Sequence, residues 1–188
     1  MVKSTITDIQ IADAVTLLLE YIGEDPSREG LKGTPERVGK AFHEMTRGYR
    51  QDPVKILSTQ FSERSDEIVM LKGIRFTSLC EHHLLPFVGV ATVGYLPGER
   101  VVGLSKLARL VHAYSKRLQI QERLTTQIAQ ALLDIVQARG AGVIIEAQHQ
   151  CMACRGVEQL DAVMVTSAML GEMRTNAQLR SEFLSLAK

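Results

Sequence analysis

Two consecutive helical stripes, set between pairs of β-branched segments, constrain this chain more than any other feature of its sequence. Leu104, Leu107, Val111, Tyr114 and Leu118 recur at alternating spacings of three and four, and Leu124, Ile128, Leu132 and Ile135 continue the pattern in a second helix. A helix with such a stripe buries one face. Ahead of the stripes, residues 67–76 and 87–96 read as strands, with a Pro97-Gly98 turn after the second. Behind them, residues 143–150 and a segment around 162–166 read likewise, and Gly140 and Gly142 are placed to close the second helix. The order strand, strand, helix, helix, strand, strand predicts an α+β fold. Its sheet has four strands, antiparallel in the hairpins, with both long helices on one face.

The N-terminal part is helical. Residues 6–22 read as one helix, residues 23–33 as a loop, and Thr34-Pro35-Glu36 as the N-cap and first turn of another with an apolar stripe of Val38, Phe42, Met45 and Tyr49. A short helix from about Ala177 ends the chain. A length of 188 residues suits one compact domain, made of a helical region over residues 1–50 and the sheet region over residues 51–188. A net charge of +1 gives no global pull toward nucleic acid or an anionic membrane. The opening Met-Val-Lys-Ser-Thr leads into no apolar signal core, and no apolar run approaches the ~18 residues of a membrane span. A cytoplasmic protein is expected, whose three cysteines are reduced and serve as ligands or core residues.

The chemistry concentrates between the strands. Cys80 and His83 are three residues apart, a spacing that a tight turn brings onto one side, and His82 then projects differently. Alternation along the third strand sends Ile145, Ala147, His149 and Cys151 to one face. Two thiolates and an imidazole suit zinc, and three protein ligands leave a fourth position for water, whose pKa falls to roughly 7 on the metal. His82 and His149 are then candidates to move protons. A closed site of Cys80, His83, Cys151 and Cys154 is the rival, because Cys151 and Cys154 form a Cys-x-x-Cys and four-ligand zinc is usually structural. His43 and His112 lie within helices without ligand-like neighbours and read as surface or packing residues.

Ser105 can cap the helix after Gly103, with Lys106 and Arg109 on one face of its start, which favours an anion there. Arg155 offers a bidentate phosphate contact. Glu122 sits at the start of the second long helix, where the dipole keeps a carboxylate ionised. It matches paired N–H donors such as those on the guanine edge, although capping explains it equally well.

The segments Ser78-Leu79-Cys80-Glu81-His82-His83, Gly103-Leu104-Ser105-Lys106, Gln121-Glu122-Arg123-Leu124-Thr125 and His149-Gln150-Cys151-Met152 with Arg155-Gly156 together resemble type I GTP cyclohydrolase, in order and spacing. The resemblance implies a tunnelling-fold subunit of a toroidal homodecamer, with active sites at subunit interfaces. It implies one zinc per subunit on Cys80, His83 and Cys151, with Cys154 outside the ligand pattern and His82 and His149 transferring protons. Glu122, with Gln121 beside it, falls to the guanine, and Ser105, Lys106, Arg109 and Arg155 to the ribose and triphosphate. The implied reaction opens the imidazole ring of GTP at C8, releases formate and rearranges the ribose to give 7,8-dihydroneopterin triphosphate, which folate, tetrahydrobiopterin or deazapurine routes could consume. A nitrile reductase on the same fold would not need paired metal ligands. A purine-sensing structural zinc domain would leave His82 and His149 without a task.

Overall fold

The computed structural model describes residues 6–63 and 65–188; the first five residues, including the opening segment read for a signal core, lie outside the described set. Contacts divide the chain into two units, Met1–Arg47 and Gly48–Lys188. In the first, α1 (Asp8–Tyr21) starts at a reciprocal cap in which Thr7 Oγ1 accepts from the Gln10 backbone N–H while Gln10 Oε1 accepts from the Thr7 backbone N–H. It packs on α2 (Thr34–Met45). The expected Thr34 cap moves back one residue: Gly33, with φ of +87°, holds the cap position, and Thr34 Oγ1 instead accepts from Arg37 Nη2 at 2.8 Å. A left-handed cap needs glycine, so Thr34 enters the helix beside Pro35.

The second unit begins with α3 (Pro53–Leu57), whose Val54 N–H is capped by Asp52 at 2.9 Å. It continues through β1 (Gln60–Phe61), β2 (Val69–Cys80), β3 (Pro86–Leu96), β4 (Val101–Val102), α4 (Leu104–Ser115), β5 (Leu118–Gln119), α5 (Gln121–Val136), β6 (Gly140–His149), α6 (Gln150–Ala153), β7 (Met164–Gly171), α7 (Glu172–Thr175) and α8 (Ala177–Ala187). The main sheet runs β5-β2-β3-β6-β7. The four long strands are antiparallel, as expected, and two-residue β5 adds a parallel edge through Leu79–Leu118 and Cys80–Gln119. β1 and β4 make a separate two-stranded ladder.

Both long helices lie on the face that carries Ala141, Val143, Ile145 and Ala147 of β6. Leu124, Ile128 and Leu132 of α5 and Leu110 and Val111 of α4 are fully buried there against Phe87, Ala91 and Val93 of β3. Burying each such side chain contributes about 1.5–3 kcal/mol relative to leaving it in water. Three details of the stripes differ from expectation. Leu104 is exposed at the start of α4, and Leu118 belongs to β5 because the helix has ended at Ser115. The second helix is closed by Gln137 in the left-handed conformation, not by the glycines.

Gly140 and Gly142 are strand residues, and Gly142 has a packing role. It pairs across the ladder with Gly94, and the fully buried ring of Phe183 in α8 lies against both. With Met169, Met173 and Phe183 buried, α7 and α8 cover this end of the sheet's other face. The last strand begins two residues later than expected and runs on to Gly171.

Candidate metal centre and the residues around it

β2 ends at Cys80, and the chain doubles back at once. Leu84 N–H donates to Cys80 O and Cys80 N–H to Leu85 O, both at 2.9 Å, with Leu84 in the left-handed region at φ of +57°. This turn sets Cys80 Sγ 4.0 Å from His83 Nδ1. The antiparallel register pairs Phe87 at the start of β3 with His149 at the end of β6, so the close of one hairpin meets the exit of another strand. Strand alternation was expected to carry Cys151. In fact the strand stops at His149 and Cys151 lies in the short helix α6, which still delivers its thiol to the same place.

The donor atoms of Cys80, His83 and Cys151 all lie within 4.8 Å of one another. Tetrahedral zinc, with Zn–S about 2.3 Å and Zn–N about 2.0–2.1 Å, places such donors about 3.5–3.8 Å apart, so a small inward movement of the three suffices to hold it. Cys154 is exposed and is not among these donors. Burial, then the neighbouring Cys80, pushes the Cys151 thiol up from its ordinary range, while Arg155 pulls it down. A bound cation would favour the thiolate form of such donors.

Around this group the histidines separate. His82 is exposed, its ring edge-on to that of His83 with centroids 6.3 Å apart. His83 meets the Arg155 guanidinium through Nε2, on the far side of the ring from Cys80. His149 is half-buried and stacks flat on Phe87, with centroids 4.5 Å apart and planes 3° from parallel. Its Nε2 is 2.8 Å from Gln121 Oε1. Burial lowers the His149 pKa from its ordinary value, and the Glu122 carboxylate partly offsets this. Glu122 itself is exposed in the first turn of α5, whereas Gln121 is 1% exposed and its amide nitrogen bonds Ile145 O, Met164 O and Thr166 Oγ1.

Sequence inspection missed the residue that braces the turn carrying Cys80 and His83. Arg123, the third residue of α5, pairs with Glu81 and also donates from Nε to Gln119 Oε1 at 3.1 Å, while Gln119 O accepts from Glu81 N–H at 3.1 Å. Glu81 lies between Cys80 and His83, and Arg123 holds its carboxyl below the usual range. Both residues sit in the motifs quoted above, but a separation of 42 positions carries no signal that they touch.

Ser105, Lys106 and Arg109 occupy the first turns of α4. Ser105 is not the cap: Gly103 holds that position, and Ser105 is the second helical residue with no capping bond. Ser115, at the other end, leads into β5 and so into Cys80, which leaves Ser105 about 15 Å of helix away from the metal turn at 1.5 Å per residue. Of the remaining histidines, His112 Nε2 is 3.1 Å from Arg75 O, a packing role, and His43 lies in α2.

An α+β chain with an open three-donor thiol–imidazole group that could hold a metal ion, a second histidine oriented beside it and an acidic helix N-terminus has the makings of an enzyme site. The family is defined by sequence: the family model GTP cyclohydrolase I matches residues 11–188, and the chain belongs to that family. It is 52% identical to GTP cyclohydrolase 1 of Coxiella burnetii (strain RSA 493 / Nine Mile phase I) over 95% of this chain and 97% of that one. It is 53% identical to the enzyme of the same name from Nitrosospira multiformis over 91% of each chain. Among solved structures, an archaeosine synthase QueF-Like in the apo form aligns with a TM-score of 0.48 at 18% identity, over 57% of this chain and 97% of that one. A dihydroneopterin aldolase from Burkholderia thailendensis bound to guanine aligns with a TM-score of 0.37 at 15% identity, over 61% and 93%.

Proposed function

We propose that the chain converts GTP to 7,8-dihydroneopterin triphosphate with release of formate, at a site holding one zinc per subunit on Cys80, His83 and Cys151. The observation that carries this reading is the convergence of those three donors within 4.8 Å at the same sheet end as His149. Bound zinc supplies a Lewis acid that activates water at neutral pH.

The protein's own groups do the rest. Glu122 accepts the paired N–H donors of the guanine edge at the positive end of α5, which orients C8 toward the metal group. Arg155, on the outer nitrogen of His83, is within reach of a phosphate and binds it by paired donors. His149, held flat by Phe87, gives a proton to the purine nitrogen released when the imidazole ring opens. His82, on the exposed side of the turn, protonates the ribose oxygen. Cys154 takes no part.

Ser105, Lys106 and Arg109 bind the ribose and triphosphate of a neighbouring subunit's substrate, because they lie at the start of α4 while it is the helix's other end, about 15 Å along the axis from Ser105, that leads to the Cys80 turn. This is why the site is completed at interfaces of a homo-oligomer, read as the decamer of the family. The enzyme works in the cytoplasm, free of nucleic acid and membrane; no helix among the described residues is long and apolar enough to cross a bilayer.

The test is incubation of zinc-replete protein with GTP, followed by fluorescence of the oxidised pterin, formate determination and metal analysis. Product with one zinc per chain supports the reading; zinc without product refutes it.

A further inference from the structure

We infer that Gln121 is a positioning residue that fixes the tautomer of His149, keeping a hydrogen on Nε2 so that Nδ1 is the nitrogen that exchanges the proton with substrate. The inference rests on the proposed proton-transfer role of His149 and reassigns Gln121, which the family resemblance groups with the substrate residues.

An amide can be placed either way round, so the direction of the Gln121–His149 bond is decided by what surrounds the amide nitrogen. Three groups do: Ile145 O at 3.0 Å, Met164 O at 2.9 Å and Thr166 Oγ1 at 3.1 Å. The two carbonyls only accept. The hydroxyl is decided by its neighbour. Thr125 Oγ1 lies 2.6 Å from the backbone oxygen of Gln121 and commits its single hydrogen there. The 2.7 Å contact between Thr125 Oγ1 and Thr166 Oγ1 is therefore donated by Thr166, whose oxygen is left to accept from Gln121.

Every group around the amide nitrogen thus demands a donor. Flipping the amide would set its oxygen against the carbonyl oxygens of Ile145 and Met164, replacing two hydrogen bonds with two oxygen–oxygen contacts. The oxygen must face His149, 2.8 Å away, and Nε2 must carry the hydrogen between them. Phe87, fully buried and parallel to the ring, holds the ring plane, and turning the ring over within that plane would put the carbon Cε1 opposite the Gln121 oxygen in place of Nε2. Among the described residues Nδ1 has no hydrogen-bond partner.

The proton balance follows. When the bond from C8 to the purine nitrogen breaks, the proton leaves Nδ1 of the imidazolium for that nitrogen, which becomes an amine N–H. The ring is left neutral, still hydrogenated on Nε2, and a later proton returns to Nδ1. A ring free to choose its tautomer would present the wrong nitrogen for part of its time.

The experiment uses zinc-loaded full-length protein labelled with 15N-histidine, examined by solid-state NMR, with the His149 signals assigned by difference against His149→Ala. The expected spectrum shows Nε2–H with Nδ1 bare whenever the ring is neutral; an Nδ1–H neutral ring overturns the inference. Gln121→Met is expected to retain one zinc per chain, to keep KM for GTP within about threefold, and to lose roughly 10–100-fold in kcat while His149 becomes a mixture of tautomers. A Gln121→Met enzyme with unchanged kcat also overturns it. If that variant fails to fold, the wild-type spectrum alone decides. His149→Ala separates the two claims: undiminished formate release sinks the catalytic role of His149, while the spectrum still judges the tautomer.

Discussion

Replacing Gly142 with alanine drives a methyl group into the ring of Phe183. A Cβ built on Gly142 falls 2.8 to 2.9 Å from three atoms of that ring. Ordinary carbon contacts lie at about 3.5–4.0 Å, so the ring has to retreat by roughly 0.6–1.2 Å. It cannot do so freely: Gly94, the cross-strand partner of Gly142, leaves only 2.9 Å for a Cβ of its own against the same ring, and the ring is fully buried in a cluster with Met169 and Met173. Overpacking of this kind costs about 1–3 kcal/mol. For a chain of this length each kcal/mol moves the melting temperature by about 2–4 °C, so Gly142→Ala is expected to lower it by roughly 2–12 °C. The assay is thermal unfolding at one fixed protomer concentration, since association adds to apparent stability. Phe183→Leu makes room for the methyl, and the double variant should be less destabilised than the sum of the singles by about 0.5–3 kcal/mol. The notch lies seven residue pairs along the ladder from Phe87–His149, about 23 Å, so zinc content and turnover below the transition should not change. An unaltered melting temperature, or strict additivity with Phe183→Leu, would refute the steric reasoning.

Three other outcomes follow from the site. Cys154→Ser is expected to keep stoichiometric zinc and turnover whereas Cys151→Ser loses both; metal analysis after gel filtration distinguishes them, and zinc loss in Cys154→Ser would restore the closed four-ligand site. Arg123→Gln frees Glu81 and loosens the ligand-bearing turn, so zinc should be surrendered to a competing chelator at about 10–100-fold lower chelator concentration, with no such change counting against the brace. Co-expression of Lys106→Ala with His149→Ala chains, each inactive alone, should recover a fraction of GTP turnover in mixed assemblies, because an intact site then forms where a sound Lys106 meets a sound His149; complete inactivity would place both residues in one subunit.

Much of the architecture is readable from apolar periodicity, because a buried helix face or strand face repeats with the geometry of the element itself. Leu124, Ile128 and Leu132 announced α5 in this way, and they are fully buried. Element ends were less legible. Gly140 and Gly142 look like helix terminators, and only the register of β6 against β3, with Phe183 behind it, reveals two strand glycines, one of them making room for a ring. Ser105 and Thr34 look like caps, yet glycines one or two positions earlier take that place: the left-handed backbone at Gly33 selects glycine irrespective of the hydroxyl beside it, while Gly103 is extended.

By itself, the sequence determined the candidate donor types, the family and the order of the long strands and helices, because thiol, imidazole and apolar spacing are local properties of the chain. The tertiary structure decided which residues meet. Cys80 and His83 reach Cys151 only because β3 pairs with both β2 and β6; Arg123 reaches Glu81, and Gln121 reaches His149, only because α5 starts beside the metal turn. Such meetings depend on contacts between residues 28 to 71 positions apart, for which a linear chain holds no mark. The direction of the Gln121 amide lies further still from the sequence, since it is set by two backbone carbonyls and a threonine pair that only the folded sheet brings together.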